Sequence, residues 1–379
     1  MSVKDPIRIA IATPSANAWS ETFIAAHIKR LQGVRVVLVD GDLPNRVLDG
    51  PMLLHRHGPR RILDHVQARF MGGNTQDLLR RRIAALLRRE RIDVVLAEYG
   101  ICADALVDPC TRAGVPLVAH FHGYDAHKTS KIEEMGHYRR LFAYAAAVVA
   151  VSRAMEQQLL ALGAPREKLF YNCYGVDVDL FTAGDPGKAP PHFVAVGRFV
   201  EKKAPDLTLT AFGILLTRFP DARLTMVGQG PLWEACNARV QTSALRDRVS
   251  LPGVMSSAEI AELLRGARAF VQHSVRAASG DSEGTPLAVL EAMATGLPVI
   301  ATRHAGIGDV VVHGEHGLLC AEFDVAGMAA NMERLAGDAE LAGRMGTAAR
   351  THVERNYRVE DSVAALQVIL QRAALKPSA

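Results

Sequence analysis

Short apolar runs alternate with longer amphipathic stretches along almost the whole of this 379-residue chain. The apolar runs are rich in β-branched residues and are bounded by turn-forming residues, which is the pattern of buried strands. Strands that alternate with helices form parallel sheets covered by helices on both faces. The pattern therefore predicts an α/β protein with strands at residues 8–13, 34–40, 93–98, 116–122, 147–152, 169–175, 192–198, 223–230, 249–254, 269–274, 298–303 and 317–323.

A break in the pattern divides these strands into two sets. Residues 182–191 contain three prolines and two glycines and show no apolar periodicity, so we interpret this segment as a linker. Two Rossmann-like halves of about equal size lie on either side of it. Ligands of such sheets bind beyond the carboxyl ends of the strands. We therefore expect a site in a cleft between two domains whose strand ends face each other.

The composition is that of an ordinary globular protein, with 49% apolar and 22% charged residues. No apolar run approaches the roughly 18 residues that span a bilayer, and residues 1–5 do not open a signal peptide. The five cysteines are dispersed and include no Cys-x-x-Cys pair, which argues for a reducing compartment and against structural zinc. We expect a cytoplasmic protein.

Positive charge is concentrated between residues 56 and 91, which include ten arginines and three acids. The segment has neither interleaved aromatic residues nor a recognisable nucleic-acid module, so nucleic acid is not the expected partner. Residues 76–89 predict an amphipathic helix whose apolar side (Leu79, Ile83, Leu86 and Leu87) packs on the amino-terminal sheet. The arginines opposite suit an anionic membrane surface or a phosphorylated acceptor. We expect peripheral attachment to the inner face of the cell membrane.

Two carboxylates eight residues apart, Glu283 and Glu291, flank a predicted helix start. Thr285 is a good N-cap and Pro286 suits the first helical position. The N–H groups of such a first turn bind anions, helped by the positive end of the helix dipole. A phosphate site between two carboxylates predicts a sugar nucleotide, with one Glu for sugar hydroxyls and one for ribose hydroxyls. The alternative is a capped core helix with two incidental acids.

Two further segments contain residues suited to chemistry at strand ends. Arg198 and Lys203 follow a predicted strand, where they could neutralise a diphosphate without a metal or could form a solvated charged turn. His120 and His122 at another strand end could be a metal pair or could supply one polarising imidazole. A hydrolase barrel needs eight βα units and further ligands, which the sequence lacks, so the metal interpretation is the weaker one.

Taken together, these segments resemble the retaining glycosyltransferases of family 4, which have the GT-B fold. The resemblance covers nearly the whole chain and is strongest over residues 280–319. Residues 196–203 are similar to the family's Arg…Lys phosphate clamp, with Ala204 where Gly is usual, and residues 122–125 are similar to the segment with the active-site histidine. The first loop lacks the paired glycines of many members. Its Ser-Glu-Thr-Phe-Ile version, residues 20–24, resembles a subset that makes exopolysaccharide or related surface glycans.

The resemblance implies a role for each site residue. Glu283 would hold donor-sugar hydroxyls, Glu291 would hold the ribose, and His122 would hydrogen-bond the donor sugar near the reacting carbon. The residues implied in catalysis are His122, Glu283, Arg198 and Lys203. Those implied in donor or nucleotide binding are Gly284, Thr285, Pro286, Leu287, Glu291, Gly228 and Val254. Those implied on the acceptor side are Ser20, Glu21 and Asp125. No metal ligand and no enzymic nucleophile is implied.

The resemblance also implies domain roles and an activity. Residues 1–182 would form the acceptor-side domain, completed by a carboxyl-terminal helix at 357–376, with 183–191 as linker and 192–356 as the donor-binding domain. The protein would transfer a hexose from a UDP-, GDP- or ADP-linked sugar to a hydroxyl of a glycan or polyprenyl-linked acceptor, with retention and without a metal. Two alternatives remain: a sugar-nucleotide epimerase or hydrolase, and a non-catalytic nucleotide-sugar binding protein.

Overall fold

The structure is a computed structural model that describes residues 6–16, 21–55 and 57–375. Contacts divide the chain into two compact units. The first takes in the described residues up to Val151, then Met155–Asn172 and those from Val363 onward, whereas the second takes in Ser152–Ala154 and Cys173–Ser362. Residues 183–191 contain no helix or strand and group with the second unit.

Seven strands form the sheet of the first unit. They are β1 (Ile9–Ala12), β2 (Val34–Val39), β3 (Arg46–Val47), β4 (Val94–Glu98), β5 (Leu117–His120), β6 (Ala147–Ala150) and β7 (Leu169–Tyr171). Their spatial order is β3-β2-β1-β4-β5-β6-β7, and all pairs are parallel except β2 with β3. The six strands predicted in this part of the chain are confirmed. The antiparallel edge strand β3 was not predicted because two residues are too few for a period to show.

Nine α-helices of the described residues belong to this unit. They are α1 (Thr22–Arg30), α2 (Pro59–Phe70), α3 (Thr75–Arg89), α4 (Gly100–Ala113), α5 (Tyr124–His127), α6 (Thr129–Glu134), α7 (Arg139–Tyr144), α8 (Arg153–Ala161) and the end of α16 (Val359–Ala374). The amphipathic helix predicted at 76–89 is confirmed as α3. Asn74 caps α3 by accepting a hydrogen bond from the Asp77 N–H at 2.9 Å, and its buried side contacts α4.

Six parallel strands form the sheet of the second unit. They are β8 (His192–Val196), β9 (Arg223–Val227), β10 (Val249–Gly253), β11 (Ala269–Gln272), β12 (Val299–Thr302) and β13 (Gly317–Cys320). The spatial order is β10-β9-β8-β11-β12-β13, which is the doubly wound order of a Rossmann fold. The six strands predicted in this part of the chain are confirmed.

The helices of the second unit include the one that follows Glu283. They are α9 (Pro205–Leu216), α10 (Trp233–Gln241), α11 (Ser257–Arg265), α12 (Leu287–Ala294), α13 (Ile307–Val310), α14 (Val325–Gly337) and α15 (Ala339–Asn356). The predicted start of α12 was wrong by one residue. Pro286 is the N-cap rather than the first helical residue, because its ψ of 94° is extended while its carbonyl already accepts from the N–H groups of Val289 and Leu290.

Among the helices in the described part of the chain, none is long and apolar enough to cross a membrane.

Candidate active site

Each sheet has one point where the strand order reverses, and some of the predicted site residues follow strands at that point. In the second unit the reversal lies between β8 and β11. Arg198 and Lys203 follow β8, and the long connection from β11 to α12 contains Glu283. In the first unit the reversal lies between β1 and β4, and Glu98 ends β4. Crevices at such points are where doubly wound sheets bind ligands.

Glu283 is a buried carboxylate whose two oxygens have different surroundings. Its side chain is 8% exposed, and Oε2 lies 3.2 Å from Lys203 Nζ. Oε1 is buried and has no hydrogen-bond partner among the residues that the structure describes. Burial by itself would raise the pKa of Glu283, but the ammonium groups of Lys203 and Lys202 hold that pKa below its ordinary value. The group is therefore an ionised acceptor, ready to receive a hydroxyl from a ligand.

The two lysines after β8 act on the same loop in different ways. Lys202 Nζ lies 3.0 Å from Asp281 Oδ1 and donates to the Ser282 carbonyl at 3.0 Å, which fixes the segment just before Glu283. Burial lowers the pKa of Lys203, and the attraction of Glu283 opposes that effect. Ala204 follows them at φ +36°, a left-handed conformation that favours glycine.

His304 and Glu322 hold the Glu283 loop from a second side, and the sequence analysis missed both. His304 Nδ1 lies 2.6 Å from Glu322 Oε1, while Nε2 lies 3.0 Å from Ser282 Oγ and accepts from the Glu283 N–H at 3.3 Å. The acceptor role of Nε2 assigns the ring proton to Nδ1. The position of His304 could have indicated its role, because it follows the strand predicted at 298–303. It therefore lies at the carboxyl-terminal edge of the sheet, where ligands bind.

The anion site predicted from the sequence lies at the first turn of α12. Gly284, Thr285 and Pro286 are buried, and a Cβ on Gly306 would lie 2.2 Å from the Gly284 carbonyl oxygen. This close approach fixes the backbone that leads into the helix. The N–H groups of Leu287 and of the residue after it open α12, where no carbonyl precedes them in the helix to accept their hydrogen bonds.

Glu291 lies one turn further into α12 and is partly exposed. Burial raises the pKa of Glu291 to about 7, although Lys203 acts in the opposite direction. The Glu291 carbonyl accepts from the Thr295 hydroxyl at 2.9 Å, whereas its carboxylate forms no hydrogen bond with the residues that the structure describes. An acid in this state ionises within the physiological range, so its charge depends on what binds beside it.

The remaining predicted donor residues lie on neighbouring loops. Arg198 is exposed and lines a small cavity that Lys203 also lines. Gly228, at φ +133°, donates its N–H to the Gly253 carbonyl at 2.7 Å. Val254 follows β10 and is 43% exposed, but it is not among the residues that line this cavity. The structure thus brings Arg198 and Lys203 to one cavity and Lys203 to Glu283, whereas Val254 does not line that cavity.

In the first unit, Glu98 contacts three imidazoles, that of His27 and those of the neighbouring His120 and His122. Its Oε1 lies 2.7 Å from His27 Nδ1, and its Oε2 lies 2.7 Å from His122 Nε2 and 3.1 Å from His120 Nδ1. Burial would raise the pKa of Glu98, but the three imidazoles hold it well below its ordinary value. Sequence analysis did not single out Glu98 or His27. Only the position of Glu98 at a predicted strand end was a signal.

His122 is held in one tautomer and one orientation by this cluster. Burial, and then the neighbouring His120, lowers the pKa of His122 to about 3, so the ring is neutral and its Nε2–H points to Glu98. The rings of Phe23 and Tyr99 lie 4.6 Å and 4.7 Å from the His122 ring, centroid to centroid. His120 and His122 contact the same carboxylate oxygen, Glu98 Oε2.

The same cluster has the geometry of a possible metal site. Ligand atoms of His27, Glu98 and His120, all buried, lie within 4.8 Å of one another. Both oxygens of Glu98 are already within hydrogen-bond or ion-pair distance of imidazole nitrogens, which accounts for the cluster without an ion. The residues could hold a divalent cation only by giving up that pairing.

The predicted acceptor-side residues have different surroundings. Ser20 lies outside the described residues. Glu21 precedes α1, and its Oε1 accepts a hydrogen bond from the Tyr99 hydroxyl at 2.7 Å. Asp125 is fully buried and accepts from the N–H groups of Gly100 at 2.7 Å and His122 at 2.9 Å. Burial raises the pKa of Asp125 to about 6. Asp125 therefore positions the His122 loop.

Comparison with known proteins links both units to one kind of protein. Residues 22–180 match the family described as Glycosyltransferase Family 4, and residues 181–352 match the family described as Glycosyl transferases group 1. The chain is similar to the amylovoran biosynthesis glycosyltransferase AmsK of Erwinia amylovora, with 32% identity over 313 residues that cover 81% of this chain and 76% of AmsK.

Two further similarities extend over most of the chain. The putative colanic acid biosynthesis glycosyltransferase WcaL of Escherichia coli (strain K12) is 30% identical over 335 residues, which cover 86% of this chain and 80% of WcaL. The crystal structure of Anabaena Alr3699/HepE in complex with UDP has a TM-score of 0.76 at 16% identity, over 96% of this chain and all of that one (100%). The predicted fold class, two Rossmann-like domains of the GT-B type, is confirmed.

Proposed function

The chain belongs to the family 4 glycosyltransferases, and on that premise we propose that it transfers a hexose from a nucleotide-diphosphate sugar to a hydroxyl of a glycan or lipid-linked glycan. The transfer retains the anomeric configuration and requires no metal ion. AmsK and WcaL are named for the biosynthesis of amylovoran and colanic acid, which supports a role in making an extracellular polysaccharide. The UDP in the HepE crystal structure supports a nucleotide as the leaving group.

The open oxygen of Glu283 is the observation that supports this function best. A buried, ionised carboxylate oxygen without a partner is costly unless a ligand donates to it. Sugar hydroxyls are donors of the right kind, and Lys203 and the His304-bound loop hold the carboxylate in place. We assign Glu283 to the hydroxyls of the donor sugar.

The diphosphate of the donor would lie against the first turn of α12. The N–H groups that open this helix, the Arg198 guanidinium and the Lys203 ammonium would stabilise the charge that develops as the glycosidic bond to phosphate breaks. Lys203, which pairs with Glu283 at 3.2 Å, would then share its charge between that carboxylate and the phosphate. In this mechanism the departing phosphate takes the acceptor's proton, so no enzymic nucleophile is needed.

The resemblance also gives Glu291 and His122 roles in donor binding. The Glu291 carboxylate would accept hydrogen bonds from both ribose hydroxyls, which favours its ionised form. The neutral His122, fixed by Glu98, would hydrogen-bond the donor sugar near the reacting carbon. The base could be uracil, guanine or adenine.

Transfer measured from a panel of sugar nucleotides to soluble and lipid-linked acceptors tests the proposal directly. We expect sugar transfer with one donor, abolished or strongly reduced in Glu283→Gln. Donor turnover without any acceptor would instead favour an epimerase or hydrolase, and donor binding without turnover would favour a nucleotide-sugar sensor.

The same assay tests metal independence. Activity should persist in excess chelator, because cationic side chains and helix N–H groups replace the ion at the diphosphate. Full loss of activity in chelator, restored by Mg²⁺ or Mn²⁺, would contradict this part of the proposal. If Zn²⁺ restores activity to the wild type but not to His27→Ala, the result would instead indicate a metal bound by the Glu98 cluster.

A further inference from the structure

Helix α2 displays an apolar face to solvent. Ile62, Leu63, Val66 and Phe70 are 67%, 65%, 61% and 92% exposed. Their spacing places all four on one side of the helix, since residues three, four, seven and eight apart share a face. Large apolar side chains are exposed singly on most proteins, but a continuous stripe of four marks an interaction site. We call these four residues the α2 ridge.

The opposite side of α2 packs on the protein through polar contacts. Asp64 and Ala68 are the buried residues of this helix. The Asp64 carboxylate accepts from the His55 N–H at 2.8 Å and from the Arg82 guanidinium at 2.8 Å. Arg82 also donates to the Leu53 carbonyl at 2.6 Å. A surface helix normally buries its apolar stripe. In α2 the arrangement is inverted, and the Asp64–Arg82 pair holds the α2 ridge outward.

Three exposed arginines lie on the same helix as the α2 ridge. Arg60, Arg61 and Arg69 are exposed, and no ion pair between residues in the described ranges involves them. Two arginines of α3 differ, because Arg80 lies 3.6 Å from Asp108 and Arg89 lies 2.9 Å from Glu90. The predicted basic membrane surface at 56–91 is therefore best represented by α2; Arg56 lies outside the described residues.

We propose that α2 lies in the headgroup region of an anionic lipid bilayer, with the α2 ridge inserted and the arginines at the phosphates. An apolar stripe flanked by arginines is the pattern of interfacial helices, which bury their apolar face roughly 5–10 Å into the headgroup and acyl boundary. The inference deepens the proposed function, since an enzyme held at a bilayer meets a lipid-linked acceptor. It does not depend on the sugar chemistry.

A second copy of this chain fits the α2 ridge less well. A helix of 12 residues is about 18 Å long and 10 Å wide, so this face alone falls far short of the roughly 800 Å² per partner of stable interfaces. Pairing two copies would also bring both sets of arginines together. A bilayer supplies a partner that is both apolar and negative.

Co-sedimentation with vesicles tests the proposal without any sugar substrate. The full chain is mixed with vesicles of phosphatidylcholine alone or with 30 mol % phosphatidylglycerol, at low and moderate salt. We expect binding to the anionic vesicles that weakens as salt rises. The variant Ile62→Ser/Val66→Ser/Phe70→Ser should bind about a hundred-fold more weakly. Replacing Arg60, Arg61 and Arg69 by Glu should cost roughly five-fold or more per residue.

A matched control is Val368→Ser, which removes a 44% exposed apolar side chain from α16 and should bind as the wild type does. Depth is measured with Phe70→Trp, whose fluorescence should be quenched by lipids brominated near the headgroup, whereas Val368→Trp should not be. Circular dichroism checks that each variant is folded. Transfer to a soluble acceptor, measured in parallel, reports on the proposed function separately.

Three results would overturn the proposal. The first is no binding of the wild type to anionic vesicles at low salt. The second is equal binding by the wild type and the triple serine variant, which would place the contact elsewhere. The third is a wild-type dimer in light scattering that becomes monomeric in the serine variant, which would make a second copy the occupant of the α2 ridge.

Discussion

Glu291→Gln should make the free protein more stable and the donor complex weaker. The pKa of Glu291 rises from its ordinary 4.5 to about 7 because the folded protein buries the carboxyl group. A group whose pKa is raised by folding contributes stability that is fully present below the unfolded value and is lost as pH rises through the folded value. The wild type should therefore lose stability between about pH 4.5 and pH 7, and Gln at the same position should not.

The size of the effect follows from the pKa. At about 1.4 kcal/mol per pKa unit, a change from 4.5 to about 7 corresponds to about 3 kcal/mol at pH 8. Glu291 is partly exposed, so water screens some of this energy, and we expect about 2 kcal/mol. The variant and the wild type should be equally stable at pH 4.5, and the variant should be more stable by this amount at pH 8.

Urea denaturation of both proteins at pH 4.5, 6, 7 and 8, without donor, measures the difference. A constant difference across this range, or a less stable variant at pH 8, would refute the reasoning from burial. Donor binding by calorimetry should move in the opposite direction. The lost charge-assisted hydrogen bonds are worth roughly 1.5–3 kcal/mol, or about ten- to 150-fold in dissociation constant. If a folded Glu291→Gln variant binds the donor with wild-type affinity, the assignment of Glu291 to the ribose is wrong.

Three further predictions concern Glu283, the Glu98 cluster and Asp125. Glu283→Gln should lower kcat by roughly ten- to 150-fold with a smaller change in donor affinity; equal losses in both would assign it to ground-state binding. His122→Ala should lower transfer strongly with nucleotide affinity nearly intact, and Glu98→Gln should have a milder effect of the same kind; if His120→Ala abolishes transfer while His122→Ala does not, the assignment is reversed. Asp125→Ala should lower the free energy of unfolding by about 3 kcal/mol, because two buried N–H groups lose their acceptor; urea denaturation that detects no change would contradict the positioning role.

The local pattern of the chain predicted most of the secondary structure and several of the candidate site residues. All twelve predicted strands exist, because an apolar run that is buried on both faces is visible without knowing its neighbours. Glu283, Arg198 and Lys203 could be proposed because each lies in a short motif that follows such a strand. The helix start at Pro286 was misplaced by one residue, since cap position depends on backbone angles that residue type only biases.

Partners distant in sequence could not be predicted in this way. Glu98 and His27 are 71 residues apart and meet only because β4 lies beside β1 in the sheet. The bond from His304 to the Glu283 N–H likewise depends on which loops share a sheet edge. Strand order, not strand pattern, decides these contacts, and the pKa values of the buried groups follow from them.

Helix α2 shows the same division most clearly. Its sequence determined that one side of the helix would be apolar, because that follows from a period of 3.6 residues. The sequence alone could not determine which side would face the protein. The tertiary contacts of Asp64 with Arg82 and His55 decide that the apolar side faces outward. They hold the Asp64 side of the helix against the protein, so the α2 ridge on the opposite side faces solvent.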